Sequence, residues 1–214
     1  MKNINTVSFW NKKIIRGESL LLRSPIYLDK NKIVERYFRD LRGRLLDIGL
    51  GYGVLENLLK DRIHSLKFFG IDISPVSVKK VSKIVQGEFV VASAMKIPFQ
   101  DMFFDYVVVL DVLEHFYPKE LTKVLLEVKR VLKGKGILIV SVPLNESLKD
   151  KRINRHMISF TDHSIIELLS KSGFEITEKK LLFAFKNGYV IKSLLARIFR
   201  LKRPNLVIIF CKKK

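Results

Sequence analysis

Cysteine is nearly absent. Cys211 stands alone, which excludes an intramolecular disulfide framework and a cysteine-rich zinc site. No run reaches the roughly 18 consecutive apolar residues of a membrane-spanning helix. The first apolar cluster is short and broken by Lys12, Lys13 and Arg16, so no secretory leader is read there. Internal repeats and low-complexity linkers are also missing. Together these absences point to a cytoplasmic chain with a single core.

Acidic residues are scarce, 21 against 40 basic ones over 214 residues, for a net charge of +19. The excess is uneven: residues 1–44 sum to +7, residues 45–143 to +2 and residues 144–214 to +10. Two basic ends around a nearly neutral middle suit an anionic partner such as RNA, a phosphorylated metabolite or acidic lipid. The plainer alternative is a lysine-rich, solvated surface. Apolar residues make up 48% of the chain, with 15 Phe, enough to build a core and to exclude global disorder.

The apolar pattern divides the chain. Residues 3–22 mix apolar and basic positions as one amphipathic helix, Ser24-Pro25 interrupts it, and residues 30–41 suggest a second. These give a basic N-terminal helical cap over 1–43. From Arg44, strands at Leu45–Ile48, Lys67–Ile71, Glu88–Ala92, Tyr106–Leu110 and Gly136–Ser141 alternate with helices at 54–63, 75–85 and 118–132. Almost wholly apolar strands such as Tyr106–Leu110 read as strands covered on both faces. The alternation implies an α/β domain over 44–214 with a doubly wound, mostly parallel, Rossmann-like sheet. A helix at Thr161–Lys171 follows. Phe174–Ala184 and Asn205–Cys211 then supply two late strands without a crossover helix, an antiparallel hairpin at the sheet edge. That completes a seven-stranded sheet. Between those two strands lies the basic amphipathic segment 186–203.

Two motifs carry chemistry. In Leu45-Leu46-Asp47-Ile48-Gly49-Leu50-Gly51-Tyr52-Gly53 a strand ends in an acid and three alternate glycines precede a helix. Glycine serves where the backbone turns with positive φ or a ligand approaches the main chain closely, here at the C-terminal edge of a parallel sheet. A dinucleotide fingerprint would place Gly or Ala at position 54; this chain has Val54. Asp47 would repel a pyrophosphate and attract an ammonium group. The second motif, Phe68-Phe69-Gly70-Ile71-Asp72-Ile73-Ser74, ends the next strand in Asp72, placed to accept from both hydroxyls of a ribose. Ile73 offers an apolar face to an adenine. A helix cap is the structural alternative for Asp72.

With these motifs the chain resembles the class I S-adenosylmethionine-dependent methyltransferases, in the methyltransferase-11, ubiquinone-biosynthesis-like branch, over residues 42–176. The resemblance also rests on Ala92–Phe99, Phe104–Val109, Leu113-Glu114-His115 and Glu127–Gly136. It implies S-adenosylmethionine as cofactor. Asp47, Gly49, Gly51 and Gly53 would line its methionine and ribose portions, Asp72 its ribose hydroxyls, and Ile73, Ser93 and Ala94 its adenine. Leu110 and Asp111 would face the sulfonium and the methionine amino group. Ser93 departs from the family's usual Asp. His115 and His156 are the candidate bases, against a packing or local hydrogen-bonding role for each. No His/Asp cluster suggests a divalent metal, and none is expected. The acceptor implied is a small molecule or a lipid- or quinone-like compound. RNA methylation is the enzyme alternative, and a non-catalytic cofactor- or RNA-binding subunit the alternative of another class. The segment 186–203, with Val190, Ile191, Leu194, Leu195, Ile198 and Phe199 apolar, would pack on the sheet, follow RNA, or lie on an anionic membrane, making the protein peripheral.

Overall fold

The computed structural model describes residues 5–16, 24–38, 42–60, 65–185, 192–195, 198 and 203–214. Two helices open the chain, α1 (Val7–Arg16) and α2 (Pro25–Phe38). Pro25 begins the second helix, a position where the missing N–H costs nothing. Strand and helix then alternate: β1 (Gly43–Ile48), α3 (Val54–Leu59), β2 (Leu66–Asp72), α4 (Pro75–Val81), β3 (Gly87–Val91) and β4 (Phe104–Leu110). A 3-10 turn at Leu113–His115 leads to α5 (Pro118–Val131), β5 (Leu132–Pro143), α6 (Leu148–Asn154), α7 (Asp162–Lys171), β6 (Phe174–Leu182) and β7 (Leu206–Lys213).

The seven strands form one sheet in the order β3-β2-β1-β4-β5-β7-β6. The pairs from β3 across to β5 are parallel, and β7 is antiparallel to both β5 and β6. The expected edge hairpin is present, with its second strand inserted between β5 and the first.

Alternation along β4 explains its apolar run. Val107 and Val109 enter a cluster with Leu121, Val124, Leu125 and Val128 of α5. Val108 faces the other way, into a cluster with Val34 and Phe38 of α2 and Leu55 and Leu59 of α3. All of these side chains are buried. Full burial of one such side chain contributes about 1.5–3 kcal/mol, so a strand covered on both faces has no solvent side on which a polar residue is favoured.

The order reverses between β1 and β4, so the crossovers diverge there and open a crevice beyond the carboxyl ends of the strands. Ser74 fixes the chain leaving β2: its side chain accepts from Ser77 N at 3.2 Å, capping α4 just before Pro75. Thr161 caps α7 in the same way, accepting from Ser164 N at 3.1 Å. Most of the basic segment 186–203 lies outside the described residues. Within it 192–195 are helical, and Leu194, Leu195 and Ile198 are exposed.

Candidate active site

A cavity of about 440 Å³ fills the crevice between the ends of β1, β2 and β4 and the N-terminal helices. That size suits a small-molecule site. The glycine turn forms its floor. Gly49 N donates to Ile71 O at 2.8 Å, so the loop leaves β1 still tied to β2. A Cβ at Gly51 (φ 50°) would meet nothing nearer than 3.9 Å, whereas one at Gly53 (φ 73°) would strike Ile84 and Val81 at 2.8 and 2.9 Å. Gly49 and Gly51 line the cavity. Gly53 does not line it: it lets α3 pack against the segment that ends α4.

Three carboxylates gather beside this turn. Asp72 accepts from Gly51 N at 3.0 Å and from Ser74 N at 2.8 Å. It therefore braces the loop and holds the cap residue Ser74 while lining the cavity. Asp47, 6% exposed, is pushed up to about 6, chiefly by burial and further by Asp72 nearby, against a hydrogen bond from Glu56. Glu56 is raised well above the ordinary range by burial and by Asp47. Burial raises Asp72 as well. Concentrated negative charge on a buried surface is costly until a cation relieves it. S-adenosylmethionine, which carries a sulfonium and an ammonium group, fits that requirement, and Gly51 leaves the close approach open.

Ile73, Ser93, Ala94, Leu110 and Asp111 all line the same cavity. The Ser93 hydroxyl already accepts from Met95 N at 3.2 Å, shaping the turn after β3. That turn is pinned from α5: Glu127 accepts from Ile97 N at 2.8 Å, and the Arg130 guanidinium donates to Ile97 O and Phe99 O at 2.9 and 2.8 Å. Asp111 holds a left-handed backbone conformation, φ 55°. Its carboxylate accepts from Ser141 Oγ at 2.7 Å and pairs with the Lys30 ammonium.

Lys30 comes from α2, as do Ile26, Tyr27 and Asn31, which line the cavity with Trp10 and Ile14 of α1. Sequence reading placed none of these at the site. Helical spacing marks a face as apolar or polar but cannot say which sheet edge it will cover. A basic residue within the helical stretch 30–41 would be the available signal for Lys30.

The two candidate histidines meet. His115 and His156 have ring centroids 4.7 Å apart, and Trp10 packs edge-on against His115 at 4.7 Å. His156 Nδ1 lies 2.6 Å from Glu146 Oε2. Burial, reinforced by His156, lowers His115 to about 3; it is neutral at pH 7 and a feeble proton acceptor. Glu114, 1% exposed, joins them, and ligand atoms of Glu114, His115 and His156 lie within 4.8 Å of one another. The linear sequence hides this cluster because His156 arrives from 41 residues downstream.

Comparison with known proteins agrees with this geometry. The methyltransferase-11 family, a methyltransferase domain, matches residues 46–140. An uncharacterized protein of Methanocaldococcus jannaschii is 34% identical over 161 residues, 75% of this chain, which spans 63% of that relative's length. A demethylmenaquinone methyltransferase of Thermotoga maritima is 25% identical over 191 residues, 75% of this chain and 82% of its own. Among solved structures, the N-methyltransferase NodS of Bradyrhizobium japonicum, in complex with S-adenosylhomocysteine, superposes with a TM-score of 0.75 at 12% identity, over 98% of both chains. Strand order and glycine turn give this chain the Rossmann-like fold of that structural neighbour, and residues 46–140 match the methyltransferase-11 family.

Proposed function

We propose that the protein transfers the methyl group of S-adenosylmethionine to a small, largely apolar acceptor of the quinone or lipid-precursor kind. The observation that carries this reading is the apolar part of the cavity's lining. Trp10, Ile14, Ile26, Tyr27, Val112, Phe116 and Leu206 supply it, and the N-terminal segment is tied down beside it. Asn5 donates to the carbonyls of His115 and Arg155 at 3.0 and 3.1 Å, and Tyr52 donates to Lys13 O at 3.1 Å. An apolar surface of this kind inside a cavity suits a compact hydrophobic acceptor better than a polyanionic strand, which needs an open basic groove. The Thermotoga relative's quinone-related name adds weight in the same direction.

Bound here, the cofactor supplies a methyl group already activated as a sulfonium. The chain's residues bind, orient and exclude water. On this reading Asp72 accepts from the ribose hydroxyls, while Gly51 N and Ser74 N donate to its two oxygens. Asp47 and Asp111 supply negative charge toward the methionine ammonium. Closure by the N-terminal helices holds the acceptor near the methyl group, and such positioning is worth several kcal/mol.

Incubating the protein and labelled S-adenosylmethionine with cell extract tests this. Label should enter the organic phase. Label in RNA would favour the nucleic-acid reading, and label in neither, with cofactor bound, would favour a non-catalytic role.

A further inference from the structure

We propose that Glu114, His115 and His156 form a site for one divalent transition-metal cation, open to the cavity that holds the methyl acceptor. One ligand atom from each lies within 4.8 Å of the other two. A cation with bonds of about 2.0–2.2 Å would draw them inward by side-chain rotation. All three residues line the cavity.

Three observations point to a cation rather than to packing. Glu114 is 1% exposed, and its Oε2 has no hydrogen-bond partner among the described residues. A buried carboxylate oxygen left so is expensive, and a cation would satisfy it. Second, both imidazoles are braced at Nδ1. His156 Nδ1 lies 2.6 Å from Glu146 Oε2, and His115 Nδ1 lies 3.4 Å from Arg155 O. Acceptors at Nδ1 fix the tautomer that leaves Nε2 free to ligate, the usual arrangement behind metal-binding histidines. Third, the backbone holds the pair of segments together. Glu114 O accepts from Met157 N at 2.7 Å and from Ile158 N at 3.3 Å, so His156 is delivered to the Glu114 turn by main-chain bonds.

Two imidazoles and one carboxylate favour Zn²⁺, Fe²⁺ or Co²⁺ over Mg²⁺ or Ca²⁺, which prefer all-oxygen sites. Asp111 and Glu146 add negative charge near Glu114, and Lys30 opposes it. With three protein ligands a position stays open. On the methyltransferase reading, on which this use of the site rests, that position would grip an oxygen of the acceptor and orient it.

The test uses the 214-residue chain without cofactor or acceptor. Zn²⁺ titration by calorimetry, and the absorption spectrum on adding Co²⁺, should each report one ion per chain. Glu114→Gln and His156→Ala should abolish it. Glu146→Gln, which removes the charged brace on His156 and its negative charge near Glu114, should weaken it by about 10–100-fold. His163→Ala, at an exposed histidine elsewhere, should change nothing. S-adenosylhomocysteine binding by each variant reports that the fold survives. No uptake by the wild type, or equal uptake by Glu114→Gln and His156→Ala, would overturn the cation site while leaving methyl transfer untouched. Failure of S-adenosylhomocysteine to bind a metal-loaded protein would instead strike the methyltransferase reading.

Discussion

The ammonium of Lys30, a residue 1% exposed, pairs with the carboxylate of Asp111, whose second oxygen accepts from Ser141 Oγ at 2.7 Å. One ion pair thus fastens the N-terminal cap to the end of β4 and to β5 at the floor of the cavity. Losing the buried Lys30 leaves the Asp111 carboxylate, 29% exposed, with Ser141 Oγ as its remaining partner. Lys30→Met should therefore cost about 2 kcal/mol in denaturant unfolding. Lys30→Met with Asp111→Asn should recover part of that loss. Strictly additive effects would show that the pair does not hold the cap.

The glycines separate by what a methyl group would meet. Both Gly51 and Gly53 have positive φ, which costs an L-residue roughly 1–2 kcal/mol. Only Gly53→Ala also collides with Val81 and Ile84. We expect Gly53→Ala to lower stability more than Gly51→Ala, and Gly51→Ala to weaken S-adenosylhomocysteine binding more than Gly53→Ala. Paired unfolding and binding measurements check this crossover. Equal losses in both assays would remove Gly51 from the ligand surface.

Asp72 has two duties that a substitution should reveal together. Asp72→Asn keeps size but loses charge-assisted acceptance from Gly51 N or Ser74 N, worth about 1.5–3 kcal/mol for a bond to a charged group. Cofactor affinity should fall at least tenfold and the melting temperature should drop. Unchanged affinity beside a lowered melting temperature would reduce Asp72 to a brace between the glycine turn and Ser74.

Asp47 provides a pH signature. Its carboxyl titrates at about 6 in the folded chain against 3.8 in the reference state. The stability due to protonated Asp47 is complete below the lower value and is lost as pH rises through the upper one. Neutral His115 pulls oppositely over part of this range, so the comparison is with Asp47→Asn. The variant should gain about 1 kcal/mol relative to wild type between pH 5 and pH 7.5. Cofactor binding should strengthen over the same interval, because a cation favours the ionised carboxylate. A pH-independent difference between the two proteins would contradict this account.

Local chemistry was legible in the sequence. The strand-turn-helix around Gly49–Gly53 and the helix from Thr161 follow from residues adjacent in the chain. So does the both-faces burial of Tyr106–Leu110, since an unbroken apolar run states its own environment. Boundaries were less so: the strand expected at Gly136–Ser141 runs from Leu132 to Pro143, because it continues through an irregular register opposite Phe104 and Tyr106. The helix α6 went unread, since none of its residues is buried and no apolar face announces it. Long-range pairings were hidden for a different reason. Lys30 with Asp111, and His156 with His115, join elements through the folded topology, and a spacing of 81 or 41 residues carries no periodic signal.

The central claim is that the glycine turn and Asp72 hold a sulfonium nucleoside. Isothermal titration of S-adenosylhomocysteine into the full chain tests it most directly. The account predicts one site per chain, and at about 100 times the dissociation constant a gain of ~2.7 kcal/mol in unfolding free energy. No heat and no stabilisation, with the protein folded, would contradict it.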